Sequence, residues 1–461
     1  MKKFFLSLTA TVVLSAFLLC GCSVGEAGRQ QELQASMEAT YEELTSTFSG
    51  STGEFSLLSE YLSSWANKNG LQINQSHDNY TVIENPASSG YESAQSTVVQ
   101  CAVKTNDFEE SMQPLAITLT SLLGPEIHGS IRAIITENDS GNFSGANAVD
   151  EKYLECDNFI NLSYSSSPEI YTRGAFTLSG TMSTSLESAS PAYGNAFSIS
   201  MTIPDYKDPF DFEKQYPNPA EVIGSLLATE KSSGQLFQIA SFSCETSGGS
   251  TPHSATAVVV IDDNDVESFT NRFERSYNNM KERFSDLDDS FVYTMTETSM
   301  PSSVISNESS DNIISLMYTL DTGIYLQDEE DGTIIAGSDI SQISTSDGVF
   351  RAVITARSLE EPVLEEMSDI FLTTSGLCDI SYTPSQITTT WSCDEEKDLG
   401  SFFVDALGQN SQASGTLLSS ELNIFSSKAD GLNAVSYFCN MESGESTLTN
   451  MIHFLESLAS G

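Results

Sequence analysis

Residues 131–141 read IRAIITENDSG: an apolar, β-branched run that ends abruptly in Glu137, Asn138 and Asp139 and then meets Gly141. The run is too short for an ordinary helix and too apolar for a half-exposed strand, so it predicts a buried strand. In α/β folds, catalytic and binding groups gather where such strands end. Glu137 is therefore the first candidate for an acid or base.

The neighbouring sequence repeats the pattern. STVVQCAVKT (96–105) and CDNFINLSYSS (156–166) predict two more buried strands, and PLAITLTSLLG (114–124) predicts a helix that begins at Pro114 and ends at Gly124. Upstream, Phe55, Leu58, Tyr61, Leu62 and Trp65 share one helical face, Gly70 stops that helix, and LQINQ and YTVIEN follow as strands. Alternating strands and helices imply an α/β layer with a mostly parallel sheet.

The pattern changes after residue 175. GAFTLSGTMSTSLES (174–188) and NAFSISMTIPD (195–205) alternate apolar and polar residues, as half-exposed antiparallel strands do, and long amphipathic segments such as 265–286 lie between further strands. This stretch predicts an inserted α+β domain with two similar halves. The α/β style returns with NAVSYFC (433–439) and a closing helix over 446–460. The expected organisation is an α/β domain split into 51–175 and 393–461 around an α+β insert at 176–392.

Residues 1–21 carry Lys2, Lys3 and an apolar core of about fifteen residues, which marks an export signal too short to span a bilayer with flanks. The closing LLCGC resembles a bacterial lipobox. Cys22 is the residue that would be acylated, and two acyl chains suffice for a stable anchor. The polar stretch 22–50 reads as a tether leading into a helix. The mature protein is expected at the cell membrane, held through lipid on Cys22 and facing the extracytoplasmic side.

A formal net charge of −45 disfavours nucleic acid and anionic head groups as partners. The acids are scattered, as on a soluble surface. Besides Cys20 and Cys22 there are six cysteines, at 101, 156, 244, 378, 393 and 439. Export permits disulfides among them, and isolated buried thiols are the alternative. The four histidines, His77, His128, His253 and His453, stand in no metal-type spacing, and no GxSxG, Walker or GxGxxG motif is present.

Several strings, in order, resemble the zinc aminoacyl-histidine dipeptidases of the two-zinc dipeptidase and aminoacylase superfamily. They are LLSEYLSSWANKNGLQI (57–73), HGSIRAIITENDSGNFSGA (128–146), LECDNFINLSYSSSPEIYTRGA (154–175), the segment 247–284, the segment 348–376 and the final helix. The resemblance implies a catalytic domain holding two zinc ions through five ligands, a glutamate base, and an inserted lid that contacts substrate.

Carried onto this chain, the ligand pattern is degenerate. Ala102 and Lys104 fall where the family has His-x-Asp, Glu109 or Glu110 where it has a bridging aspartate, Asn138 where it has a second glutamate, and Ser163 where it has a later aspartate. Glu137 matches the general base. The C-terminal histidine has no counterpart in YFCNMESGEST, and PDYKDPFD and STPHSA replace the lid segments that offer histidine, arginine and asparagine.

The expected function is thus a lipoprotein with a metallodipeptidase-like fold that has lost its zinc, binding a peptide or amino-acid derivative or acting as a scaffold, with no cofactor. The alternatives are an active metal-dependent dipeptidase, with zinc in a rearranged site built from Glu109, Glu137, Asp139 and a cysteine, and a transporter-linked solute-binding lipoprotein. Glu109, Glu137 and Asp139 also offer oxygens to a hard cation such as calcium. The family resemblance allows a homodimer through the lid.

Overall fold

The computed structural model describes residues 26–48, 54–105, 108–138, 143–165, 169–203, 208–212, 216–247, 251–285, 291–393, 399–400, 402–403, 414–429, 431–439 and 443–460. Cys22 and Asp139 lie outside the described residues. The first helix, α1 (Glu26–Phe48), places Leu33, Met37, Tyr41, Leu44 and Phe48 at three- and four-residue spacing against the core. The tether expected over 22–50 is corrected accordingly: over Glu26–Phe48 it is a docked helix. Its overall polarity hid a narrow apolar stripe.

Helix α2 (Phe55–Asn69) ends at Gly70, whose φ of 72° is the left-handed cap. Then come β1 (Gln72–Ser76), β2 (Tyr80–Asn85), β3 (Thr97–Val103), α3 (Phe108–Leu123), β4 (Ile131–Glu137), α4 (Ser144–Ala148), β5 (Asn158–Tyr164) and β6 (Glu169–Gly174). Helix α3 starts earlier than expected and carries Pro114 inside it. Phe108, Ser111 and Met112 are buried, and the Ser111 hydroxyl accepts the Lys104 backbone N–H at 3.0 Å, so contacts beyond the helix fix its first turn.

The insert follows as β7 (Phe176–Ser185), β8 (Ser188–Ala189), β9 (Asn195–Thr202), α5 (Pro219–Ser232), β10 (Phe237–Ser247), β11 (Thr251–Ile261), α6 (Val266–Arg283), β12 (Val292–Glu297), β13 (Val304–Ile305), α7 (Asn307–Thr319), β14 (Gly323–Gln327), β15 (Ile334–Ser344), β16 (Val349–Ser358), α8 (Glu361–Leu377) and β17 (Ser381–Pro384). The chain then returns through β18 (Ser414–Thr416), α9 (Glu421–Ser426), β19 (Ala434–Cys439) and α10 (Gly444–Ser460). Among the described residues no helix is long and apolar enough to cross a membrane.

Two sheets organise these elements. The first runs β1-β2-β4-β3-β5-β19-β6-β18, and its centre, β4-β3-β5-β19, is parallel. A parallel centre aligns the C-terminal ends of those four strands at one edge. The lid sheet runs β12-β9-β11-β10-β15-β16-β7-β17 and is antiparallel throughout. It contains two βαββαβ units with the same strand order, β9-α5-β10-β11-α6-β12 and β7-α7-β15-β16-α8-β17, and they meet where β10 pairs with β15. The first unit is inserted after the first strand of the second. These are the two halves anticipated from the alternating segments.

Each sheet has its own hydrophobic core. Helices α1, α2, α3 and α10 cover one face of the first sheet, and residues such as Phe159, Trp391 and Phe425 fill the other. Arg29 on α1 forms an ion pair with Glu456 on α10 and donates to the Gly124 carbonyl at 3.2 Å, tying the first helix to the last. The six cysteines at 101, 156, 244, 378, 393 and 439 form no disulfide. Burial pushes the thiols of Cys156, Cys244 and Cys439 up to about 12, and that of Cys101 upward as well, which disfavours their thiolate forms.

Candidate functional site

The C-terminal edge of the parallel strands carries the residues singled out in the sequence. Ala102 is half-buried near the end of β3 and pairs with Thr136, and Val103 pairs with Glu137, so Lys104 and Asn138 leave adjacent strands side by side. The Lys104 ammonium reaches Glu110 Oε2 at 2.9 Å. Both side chains are about half exposed, so this pair adds little stability; it does fix a positive charge at the strand edge.

Asn138 faces the other way. Its Nδ2 donates to Glu421 Oε1 at 2.7 Å, and its Oδ1 accepts the Phe143 N–H at 3.4 Å. Phe143 holds a left-handed backbone, with φ of 54°, at the start of α4, and the Asn138 amide supports that turn. Glu421, from α9, is buried, 4% exposed. Burial pushes its carboxyl above the ordinary range, while its own backbone N–H, the Asn138 amide and the charge of Lys104 pull it down. Two contacts thus occupy this edge: the ammonium of Lys104 with the carboxylate of Glu110, and the amide of Asn138 with the carboxyl of Glu421.

The remaining candidates do not converge. Glu109 is exposed on the first turn of α3. Glu137 is half-buried at the end of β4, its backbone N–H bonded to the Asn79 carbonyl at 2.8 Å. Ser163 is half-buried on β5, and its carbonyl accepts the Cys439 Sγ–H at 3.5 Å. Among the described residues no group of three or more His, Cys, Asp or Glu is placed to hold a metal ion. The rearranged ligand set of Glu109, Glu137 and a cysteine is therefore not assembled among them.

The histidines are elsewhere. His128 is buried, with Nδ1 against its neighbour's carbonyl at Gly129 at 2.6 Å and Nε2 against the Asn85 amide at 3.2 Å, which makes it a structural bridge. His77 and His453 are exposed, and His253 lies on β11 in the lid. Glu421 was not a candidate from sequence. It sits at the start of a short helix in LLSSELNIF, where a glutamate normally faces water, and no local signal announces its burial.

Between the first sheet and the lid lies a cleft of about 750 Å³, in the range that holds small ligands. Glu110, Tyr164, Tyr171 and Phe438 line it from the sheet, and Phe210 and Thr333 from the lid. A clamp closes one side. Arg357 in the lid bonds both oxygens of Asp208 at 3.0 Å, stacks over Phe210 at 4.1 Å and donates to the Leu417 carbonyl at 2.8 Å. Asp208 in turn accepts the Ser419 backbone N–H at 2.8 Å. Core and lid are joined beside the cleft by hydrogen bonds to charged groups, each stronger than a neutral one.

Solved structures resemble this fold over nearly the whole chain. Aminoacylhistidine dipeptidase from Vibrio alginolyticus superposes with a TM-score of 0.62 at 16% identity, covering 92% of this chain and 96% of that one. The fold is similar to that of this dipeptidase. Aminopeptidase PepT from Bacillus cereus matches with a TM-score of 0.51 at 10% identity, over 92% of this chain and 99% of its own. A tripeptidase from Staphylococcus aureus matches at 0.50 and 10%, over 93% and 99%. No family model and no curated protein matches the sequence.

Proposed function

We propose that the chain is a lipid-anchored, extracytoplasmic protein that keeps the dipeptidase fold, has lost the zinc centre, and binds a peptide or amino-acid derivative in the cleft between core and lid. One observation carries the loss: Lys104 and Asn138, at the strand edge where the resemblance implies zinc ligands, are engaged with Glu110 and Glu421. These residues do not fit a pair of zinc ions. An ammonium repels a cation, an amide already donating to a carboxylate is a poor ligand, Ala102 has no donor atom, and Ser163 offers a neutral hydroxyl. Glu137 keeps its place at the strand end but has no metal-bound water to deprotonate.

The cleft supports a binding role. Its aromatic residues offer apolar contact and its polar groups orientation, as ligand sites do. Zinc content decides between this reading and an active peptidase. The full chain, purified in detergent without chelator and offered excess zinc, is expected to retain fewer than one tightly held ion and to leave aminoacyl-histidine dipeptides intact. About two tightly held ions per chain together with zinc-dependent hydrolysis would overturn the proposal.

The anchor has its own test. Cells grown with radiolabelled palmitate are expected to label the wild-type chain and not Cys22→Ala, and the variant is expected to leave the membrane fraction. Equal labelling of both would remove Cys22 from the anchoring role.

A further inference from the structure

A second cavity, of about 420 Å³, lies inside the lid and shares Asp211 and Phe212 with the cleft. Its floor is set by Asn218, the cap of α5. The Asn218 Oδ1 accepts from the Ala220 and Glu221 backbone N–H groups at 2.8 and 3.3 Å, and its Nδ2 donates to Asp339 Oδ1 and the Ile340 carbonyl, both at 2.9 Å. The cap therefore fixes Glu221 and Asp339 side by side while using only one carboxylate oxygen of Asp339.

The other oxygens are left over. Asp339 is 8% exposed, yet its Oδ2 has no hydrogen-bond partner among the described residues, and neither does the buried Oε1 of Glu221. Both residues line the cavity. Burial pushes the Asp339 carboxyl upward, and the neighbouring charge of Glu221 pushes it further. Buried acceptors without donors are costly, so this pair calls for a donor from outside the protein. Asp208 is ion-paired with Arg357, so among the described residues Asp339 Oδ2 and Glu221 Oε1 are the acceptors that this floor leaves open.

We propose that this cavity receives the ammonium or guanidinium end of a lysine- or arginine-type side chain carried by the cleft ligand, with Asp339 Oδ2 and Glu221 Oε1 accepting its N–H groups. The inference rests on the peptide-binding reading above and narrows it to cationic peptides. Three features favour an organic cation. No three acidic, histidine or cysteine side chains among the described residues are grouped to hold a metal. Phe212, Tyr216, Pro252 and Phe284 give the cavity apolar walls that suit a methylene stem. The two residues it shares with the cleft give a side chain a route in from a backbone lying there.

Calorimetric titration of the full chain in detergent with Gly-Lys-Gly and with Gly-norleucine-Gly tests this, because the two peptides differ only in the charged end. The lysyl peptide is expected to bind at least tenfold tighter, and Asp339→Asn to bring the two within twofold. Glu221→Gln makes the same comparison if Asp339→Asn does not fold. Equal binding of both peptides to the wild type would overturn the cavity assignment and leave the peptide-binding reading standing. Binding of neither would overturn both. Displacement of the lysyl peptide by calcium chloride at equal concentration would make the cavity a metal site and overturn the assignment.

Discussion

Asn138→Asp is expected to destabilise the folded chain by about 3 kcal/mol at pH 8 and by much less near pH 5. The substitution preserves shape but sets a second carboxylate against Glu421, which now accepts from the Asn138 amide at 2.7 Å. Lys104 offsets only part of the repulsion, since its ammonium is already paired with Glu110. The pH dependence follows from the direction of the Glu421 shift. Its carboxyl is raised by burial, so the folded state takes up a proton more readily than the unfolded one, and stability falls as pH rises from the ordinary carboxylate range through the raised value. Two facing carboxyls raise that value further and steepen the fall. Urea unfolding of both proteins at the two pH values measures it. An equal loss at both would show that charge is not the cause, and rescue at pH 8 by zinc would show that the position still completes a metal site.

Gly145→Ala is expected to cost about 3 kcal/mol or more for a different reason. A Cβ on Gly145 would lie 2.5 Å from the Glu137 nitrogen, and 2.6 Å from both the Glu137 and Asn79 oxygens. All three are backbone atoms, two of them joined by the hydrogen bond that ends the β2–β4 ladder. Nothing there is a flexible side chain that can swing aside, so either α4 or the end of β4 must move. Gly376→Ala, inside α8 where a Cβ meets nothing within 4 Å, is expected to gain up to about 1 kcal/mol, as alanine does in a helix. Similar unfolding midpoints for the two variants would refute the steric account.

Much of this architecture is legible in the chain because buried parallel strands must be apolar without alternation. Ile131–Glu137, Thr97–Val103 and Asn158–Tyr164 are such runs, and they adjoin in the sheet. The doubling of the lid is legible for the complementary reason, since half-exposed strands alternate. The misses share a cause too. Strand β15, IIAGSDISQIS, mixes glycine, serine and aspartate and shows neither clean alternation nor a continuous apolar run, yet it sits at the junction of the two lid units with Asp339 buried in it. Glu421 is buried by Asn138, 283 residues away, and Arg29 finds Glu456 at a separation of 427. Contacts that distant leave no periodic trace near either partner.

The position of β19 constrains when this protein can become itself. Residues 434–439 fill the slot between β5 and β6 in the first sheet, so that sheet stays incomplete until nearly all of the 461 residues are available. The inner βαββαβ unit, 195–297, needs nothing outside itself to pair its four strands, whereas β7 must wait for β16 and β5 for β19. The pairing is therefore nested, the inner lid unit within the outer unit and the outer unit within the α/β domain, with the longest loops closed by β19. A chain cut short before residue 434 would carry a finished lid on an open sheet, with the unpaired edges of β5 and β6 open to pairing with strands of other chains.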